Sequence, residues 1–430
     1  MSKTLISIME RIMSVGYACL GVGISNTTFR SCIKKNATPE NLKEVINSNL
    51  EALYHLLEYN KRKGIRLFRI SSDIIPFGSS PVNTLDWSHD FSQEWEKIGA
   101  LIEESDFRVS MHPGQYTVLN SPRPEVVKRA IDDLIYHDKV LSNLSTNSTN
   151  KIILHIGGAY GDKPLALKVF SQNYMKLPDS VKSRLVIEND DRIYSIDEVL
   201  SLGEELGIPV VFDNLHHKVN PPEEKKEESY WIRRAFESWG EKDGSQKIHY
   251  SQENPAKRKG AHSETINLEE FLSFYNGLHQ PKPDIMLEVK DKNLSAVKCI
   301  NGISENPKIG FLEDEWALYK YNILERSPAI YQEIRNLLKD KNEYPVQKFY
   351  ELIDQGMEQG GSIGTQFNAI QHVWGYFKNK ASEKEKKSMG KWLDDFNEEK
   401  VSISFIKKKL YRLTVKYEEK YLRNSYFFDL

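Results

Sequence analysis

Eight strand-like runs alternate with segments of helical pattern over residues 13–289, and six of the eight carry a histidine or a carboxylate at or just beyond their carboxyl ends. The runs are Met13 to Ala18, Ile65 to Ile70, Phe107 to Met111, Lys151 to His155, Arg184 to Glu188, Ile208 to Asp213, Lys247 to Ser251 and Asp284 to Val289. Alternation of this kind implies βαβ units and a parallel sheet, and eight units are the number that closes a TIM barrel. The intervening segments start as helices do. Pro39 to Lys63 follows Thr38, and Pro122 to Leu144 follows Ser121, so a hydroxyl cap precedes a proline whose missing N–H costs nothing at the first helical position.

A barrel accounts for about 250 residues, and the chain has 430. After Gly302 the strand-helix alternation stops. Glu313 to Asp340 reads as connecting helix, and beyond Pro345 there is no proline, with lysine, glutamate and aromatic residues plentiful. The expected organisation is an α/β barrel domain over 1–303, connecting helices over 304–344, and an all-helical domain over 345–430 interrupted near Gly360 and Gly361. The charged run Glu223 to Glu228 reads as a solvated face.

Composition excludes several classes. No apolar run approaches the roughly 20 residues needed to span a bilayer. Lys3, Glu10 and Arg11 break the N-terminal apolar stretch, which argues against a secretory signal and for an intracellular, cytoplasmic address. Cys19, Cys32 and Cys299 are too few and too scattered for a disulfide framework or a thiolate metal site. A net charge of −2 does not advertise a nucleic-acid partner. Lys257, Arg258 and Lys259 form a local basic triplet between His249 and His262, readable either as a solvated loop or as a phosphate-facing patch.

The chemistry is carried by His112, His155, Glu188, Asp213, His216, His249, His262 and Glu288. Metal ligands at the carboxyl ends of successive barrel strands suit a multi-metal centre on the top face, with two or three divalent ions bridged by Glu188 or Asp213. Imidazole and carboxylate ligands suit Mn²⁺ or Zn²⁺, and paired ions suit phosphodiester hydrolysis. Lys247 lies two residues before His249, hence on the same strand face. It is expected either inside the barrel, meeting phosphate or a carboxylate or chemically modified, or at an exposed lower rim. The loops after His112 and His155 read PGQY and IGGAYG. Their glycines allow close approach of a large substrate, and Gln115 with Tyr116 could wedge into a duplex.

Six stretches in order, MHPGQY, LHIGGAYGDK, IENDD, FDNLHH, KIHYSQ…GAH and MLEVKDK, resemble the UV damage endonucleases over roughly residues 11–300. The resemblance implies a barrel related to endonuclease IV and nicking of double-stranded DNA immediately 5′ to UV photoproducts, leaving a 3′-hydroxyl and a 5′-phosphate. It assigns the same eight metal ligands, with manganese as the usual ion and Glu188, Asp213, Glu288 and Lys247 at the catalytic centre. It also implies a carboxylated Lys247, a Gln115–Tyr116 pair that probes the lesion, and a DNA-facing Tyr17. Gly21 departs from some members, which carry Asn there, and this bears on lesion contact and substrate range. The stretch QHVWGYFKNKASEKEKK resembles a small helical domain without assigned activity. Rival readings are an abasic-site endonuclease, a sugar isomerase or epimerase of similar barrel fold, and a lesion-binding protein whose metals only hold the fold.

Overall fold

The structure, a computed structural model, describes residues 13–430; Lys3, Glu10 and Arg11 lie outside the described residues. Its first compact unit comprises residues up to Gly21, Asn26–Ile266 and Ser273–Ile300. Eight parallel strands close into a barrel in sequence order: β1 (Val15–Ala18), β2 (Leu67–Ile70), β3 (Arg108–Met111), β4 (Ile152–His155), β5 (Leu185–Glu188), β6 (Val210–Asp213), β7 (Lys247–Tyr250) and β8 (Asp284–Leu287). The connecting helices are α1 (Pro39–Lys63), α2 (Ser92–Glu104), α3 (Pro124–Asn143), α4 (Lys163–Tyr174), α5 (Ile196–Leu206), α6 (Glu228–Phe236) and α7 (Leu268–Gly277), and α8 (Asn293–Gly302) follows β8. All eight expected strands are present.

Most strands begin one or two residues later than the apolar pattern suggests, for a backbone reason. The amides of Ile65, Phe107 and Ile208 donate back to carbonyls of the preceding helices, at Asn60, Ile102 and Gly203, and do not join the sheet ladder. Gly64 and Gly207 take the left-handed conformation that lets α1 and α5 end this way. At Gly16 a Cβ would sit 1.9 Å from the Leu67 carbonyl oxygen, so only glycine lets β1 lie against β2 there.

Helix α1 matches its expected bounds, with the Thr38 hydroxyl accepting from the Asn41 amide at 3.3 Å. Helix α3 does not: it starts at Pro124, not Pro122, and Arg123 is its capping position. A residue before proline is driven out of the helical region, and Arg123 is extended at φ −98° and ψ 112°. Ser121 instead accepts from the Arg123 amide at 3.3 Å, a local turn ahead of the helix.

The barrel floor is charged and paired. Arg108 donates to Asp284 at 2.8 Å, and Lys151 donates to Asp243 at 2.6 Å. The join between β3 and β4 is sparse, with Met111 and Ile152 the single registered pair, whereas β4 and β5 share four. The Asn150 side chain completes this join by accepting from the Val109 amide at 2.8 Å.

A second unit comprises residues 301–430 with the short segments 22–25 and 267–272. It is helical: α9 (Ile309–Arg326), α10 (Pro328–Leu337), α11 (Val346–Glu358), α12 (Ile363–Gly375), α13 (Glu383–Asn397) and α14 (Ile403–Lys416). The stretch expected as one connecting helix is two, because Ser327 caps α10 and Pro328 opens it. Helix α9 packs on α11 and α12, and Tyr321 and Leu324 share one apolar core with Ile370, Val373, Met389 and Leu410. The helical chain breaks between α11 and α12, around Gly360 and Gly361. Among the described residues no helix is long and apolar enough to cross a membrane.

Candidate metal centre and nucleic-acid interface

Parallel strands that end together bring their terminal side chains to one face, and Glu188 at the end of β5 stands at the middle of this one. Its Oε2 lies 3.1 Å from His112 Nε2 and 3.7 Å from His155 Nε2, while Oε1 lies 2.8 Å from His249 Nδ1 and 3.6 Å from His216 Nδ1. Glu288 reaches His249 at 3.5 Å and His262 at 3.7 Å, and Asp213 lies 3.8 Å from His216. All eight residues named from the sequence as ligands are thus linked through neighbours within this one cluster.

Two groups have ligand atoms within 4.8 Å of one another: His112, His155 and Glu188, and Glu188, Asp213 and His249. Glu188 belongs to both, as a bridging carboxylate does. Asp213 Oδ2, His155 Nδ1 and His249 Nε2 are buried without a hydrogen-bond partner among the described residues. Buried polar atoms left unmatched are costly unless a cation satisfies them, so this set of oxygen and nitrogen donors fits divalent ions.

The electrostatics fit the same use. Burial disfavours a charged Glu188, but His249 and His155 and the hydrogen bonds from His112 and His249 hold it well below the usual carboxylate range. Burial likewise opposes ionised Glu288, and the Arg69 guanidinium overcomes it and keeps that carboxyl low. Burial pushes Asp213 up to about 6 despite His216, and pushes His155 down to about 4. His216 is raised to about 9, because the carboxylates of Asp213, Glu188 and Glu288 outweigh its burial.

Several groups orient the candidate ligands. His216 Nδ1 donates to the Asn189 carbonyl at 2.8 Å, and Asn189 exchanges two hydrogen bonds with the Asp213 backbone. Fixing one ring nitrogen this way leaves Nε2 free to take a metal. The Asp213 carboxylate also accepts from the His216 amide at 2.7 Å and caps the short helix Asn214–Val219. Asn189 and Arg69 are not singled out by the sequence reading. The available signal for Arg69 was a lone charge in the otherwise apolar run LFRI, since parallel barrel strands are apolar on both faces.

Lys247 is fully buried, two residues below His249 on the same face of β7, so the exposed-rim alternative is excluded. Gln115 and Tyr116 project from the loop after β3, with Tyr116 83% exposed. That loop is held at both ends. Ser72 donates to the His112 carbonyl at 2.6 Å, and Thr117 donates to the Asp133 carboxylate at 2.6 Å. Buried His137 joins the two holds, donating from Nδ1 to the Asp133 carbonyl at 2.7 Å with Nε2 3.0 Å from Ser72 Oγ.

Lys257, Arg258 and Lys259 are exposed at the tip of a hairpin-like loop after β7. The Asn254 amide donates to the Ala261 carbonyl and the Ser263 amide to the Gln252 carbonyl, so His262 stands at the base of the same loop. Lys257 is ion-paired with Glu264. Tyr17 is not brought to this face. Its ring packs on Phe68 at 5.2 Å and its hydroxyl donates to Asn60 of α1 at 2.9 Å, with no surface exposed. The side chain points out of the barrel toward the helix layer, so the DNA-facing role implied for Tyr17 does not fit this placement.

The UV-endonuclease UvdE family model matches residues 13–315, and a model described as a protein of unknown function, DUF1722, matches residues 320–430. A UV DNA damage endonuclease of Clostridium perfringens (strain 13 / Type A) is 37% identical over 403 residues, covering 92% of this chain and 95% of the relative. One from Bacillus cereus (strain B4264) is 38% identical over 280 residues, 65% of this chain and 87% of its own. Among solved structures, that of SacUVDE is similar at 38% identity with a TM-score of 0.64, covering 67% of this chain and 97% of its own. With the family model spanning the whole barrel, and with relatives at this identity over most of their own length, the chain belongs to the UV-endonuclease UvdE family.

Proposed function

We propose that the protein is a metal-dependent DNA-repair endonuclease that hydrolyses the phosphodiester 5′ to UV photoproducts in double-stranded DNA, leaving a 3′-hydroxyl and a 5′-phosphate. The observation that carries the reading is the Glu188-centred cluster beside an exposed Gln115–Tyr116 loop. The relatives' name, UV DNA damage endonuclease, supports the substrate.

His112, His155, Glu188, Asp213, His216, His249, His262 and Glu288 would hold two or three divalent ions, Mn²⁺ in the first instance and Zn²⁺ as the alternative. Such ions supply Lewis-acid polarisation of the phosphoryl group and a nucleophile at neutral pH. The chain's own residues do the rest. Glu188 and Asp213 stay anionic among imidazoles and fix the ligand positions. Gln115 and Tyr116 enter the duplex and distinguish a distorted step from regular stacking. Lys257, Arg258 and Lys259 bind backbone phosphates and set the register without reading sequence. A carboxylated Lys247 would convert a buried cation below the ligands into one more anion facing them. Repair of genomic DNA would take place inside the cell.

The test is nicking of irradiated, unirradiated and abasic-site supercoiled plasmid by metal-stripped protein, with Mn²⁺ or Zn²⁺ added back and the cut mapped on an end-labelled photoproduct duplex. Metal-dependent cuts immediately 5′ to the photoproduct are expected, abolished by Glu188→Ala. Tyr116→Ala is expected to lower the preference for irradiated DNA more than the metal content. Absence of nicking under every metal would overturn the reading, and full activity of Glu188→Ala would remove its bridging role.

A further inference from the structure

The loop after β4 carries an exposed aromatic that neither the metal centre nor the Gln115–Tyr116 probe uses. Tyr160 is 51% exposed and has a φ of +50°. Bulky L residues seldom adopt positive φ. The Asp162 amide donates to the Ala159 carbonyl at 3.0 Å, and Gly161 follows with a φ of +86°. Residues 159–162 therefore form a turn with positive φ at both central positions, as type I′ turns have. That turn favours Asn, Asp or Gly at the position Tyr160 holds, so the turn itself gives no reason for a tyrosine.

The ring has a prepared seat. A Cβ on Gly158 would lie 2.9–3.1 Å from ring atoms of Tyr160, so the ring rests directly on that glycine. The Gly158 carbonyl is fixed by Asn120 Nδ2 at 2.7 Å and by the Tyr194 hydroxyl at 3.2 Å. Gly157 packs so closely that a Cβ there would meet Asn120 Oδ1 at 2.4 Å and Val118 at 2.9 Å. Val118 and Asn120 belong to the loop that carries Tyr116. The loops after β3 and β4 are thus one fastened surface, with two exposed tyrosines beside the ligands His112 and His155.

We propose that Tyr160 is a second base-contacting aromatic, a platform on which a nucleobase stacks once the Gln115–Tyr116 pair has displaced it. This rests on the reading of damaged DNA as the substrate. An aromatic face suits any unpaired base, because every base offers a π-face, and removing one such stack weakens binding by about five-fold or more. A tyrosine held rigidly in an unfavourable backbone conformation, half of it open to solvent, is what a preorganised platform requires.

Tyr160→Asn removes the ring and gives the turn a residue it favours, and Tyr160→Phe keeps the ring. The experiment measures Kd and nicking kinetics of the Mn²⁺-loaded proteins on a photoproduct duplex carrying 2-aminopurine near the lesion. Tyr160→Asn is expected to raise Kd and KM about five- to ten-fold, leave kcat and metal content at wild-type values, hold or raise the melting temperature as the turn strain is relieved, and abolish the stacking-dependent change in 2-aminopurine fluorescence. Tyr160→Phe is expected to match wild type. Equal Kd, KM and fluorescence response in wild type and Tyr160→Asn would overturn the platform. Failure of the wild type itself to bind or nick the photoproduct duplex would overturn the substrate reading and the platform with it, which sets the two failures apart.

Discussion

Asp213→Asn is expected to make the metal-free protein more stable and the metal-loaded protein less so. The Asp213 carboxyl is fully buried, and burial together with Glu188 and Glu288 carries it from 3.8 to about 6 against the attraction of His216. An acid whose folded pKa is raised contributes a penalty that is absent below the unfolded value, grows between the two values, and is complete above the folded one. The gap corresponds to a penalty on the order of a few kcal/mol at pH 7.5 that nearly vanishes at pH 4. Asparagine retains the acceptor that takes the His216 amide at 2.7 Å and is as good a helix cap, so little is sacrificed against that gain. Urea unfolding of chelator-treated wild type and variant at both pH values measures the difference. Excess Mn²⁺ should then reverse the order, because binding to the folded state alone stabilises it by mass action. A variant no more stable than wild type at pH 7.5, or a gap that ignores pH, would refute the reasoning.

Arg69→Met leaves the Glu288 carboxylate buried without its guanidinium, and breaking such a pair should cost about 3–5 kcal/mol. Because Glu288 is held low, that contribution is present above the ordinary carboxylate pKa and fades as pH falls, so urea midpoints of the metal-free proteins should converge in acid. Asp133→Ala frees one end of the Gln115–Tyr116 loop and strips the Thr117 hydroxyl of its acceptor; KM for photoproduct DNA should rise several-fold with metal content unchanged, measured by nicking kinetics beside elemental analysis. Replacing Lys257, Arg258 and Lys259 with alanine should weaken binding to damaged and undamaged duplexes alike and flatten the salt dependence by about 0.9 for each phosphate no longer neutralised, read from binding isotherms across a salt series. In amide exchange, Met111 and Ile152 in the sparse β3–β4 join should exchange faster than β4–β5 amides without metal, and slow when Mn²⁺ is added.

The barrel is legible because its repeating unit is local: each strand run is short, apolar and bounded by helix signals, and register follows from closure. The candidate ligands are legible for a related reason, since positions at or just beyond the carboxyl ends of parallel barrel strands lie at the top rim, although alternation decides which of them point inward. What escaped depends on pairings distant in sequence. His137 and Ser72 lie 65 positions apart, and nothing local marks their meeting. Arg69 and Glu288 are 219 apart. Tyr17 failed in the opposite way. A motif match fixed its position in β1 but not its direction, and period-two alternation with Asn60 waiting on α1 turned it to the outside. The start of α3 was misplaced because two prolines sit two residues apart, and only the second can open a helix whose preceding residue must be extended.

A closed barrel is only as firm as its sparsest seam, and here that seam is the β3–β4 join, held by one registered pair and the Asn150 side chain. On one side β3 delivers His112; on the other, β4 and β5 deliver His155 and Glu188. An ion shared by those three residues would therefore work as the clasp of the cylinder as well as its chemistry. Loading it would tighten the sparsest seam of an already closed ring, so that the centre and its scaffold would be fastened in the same act.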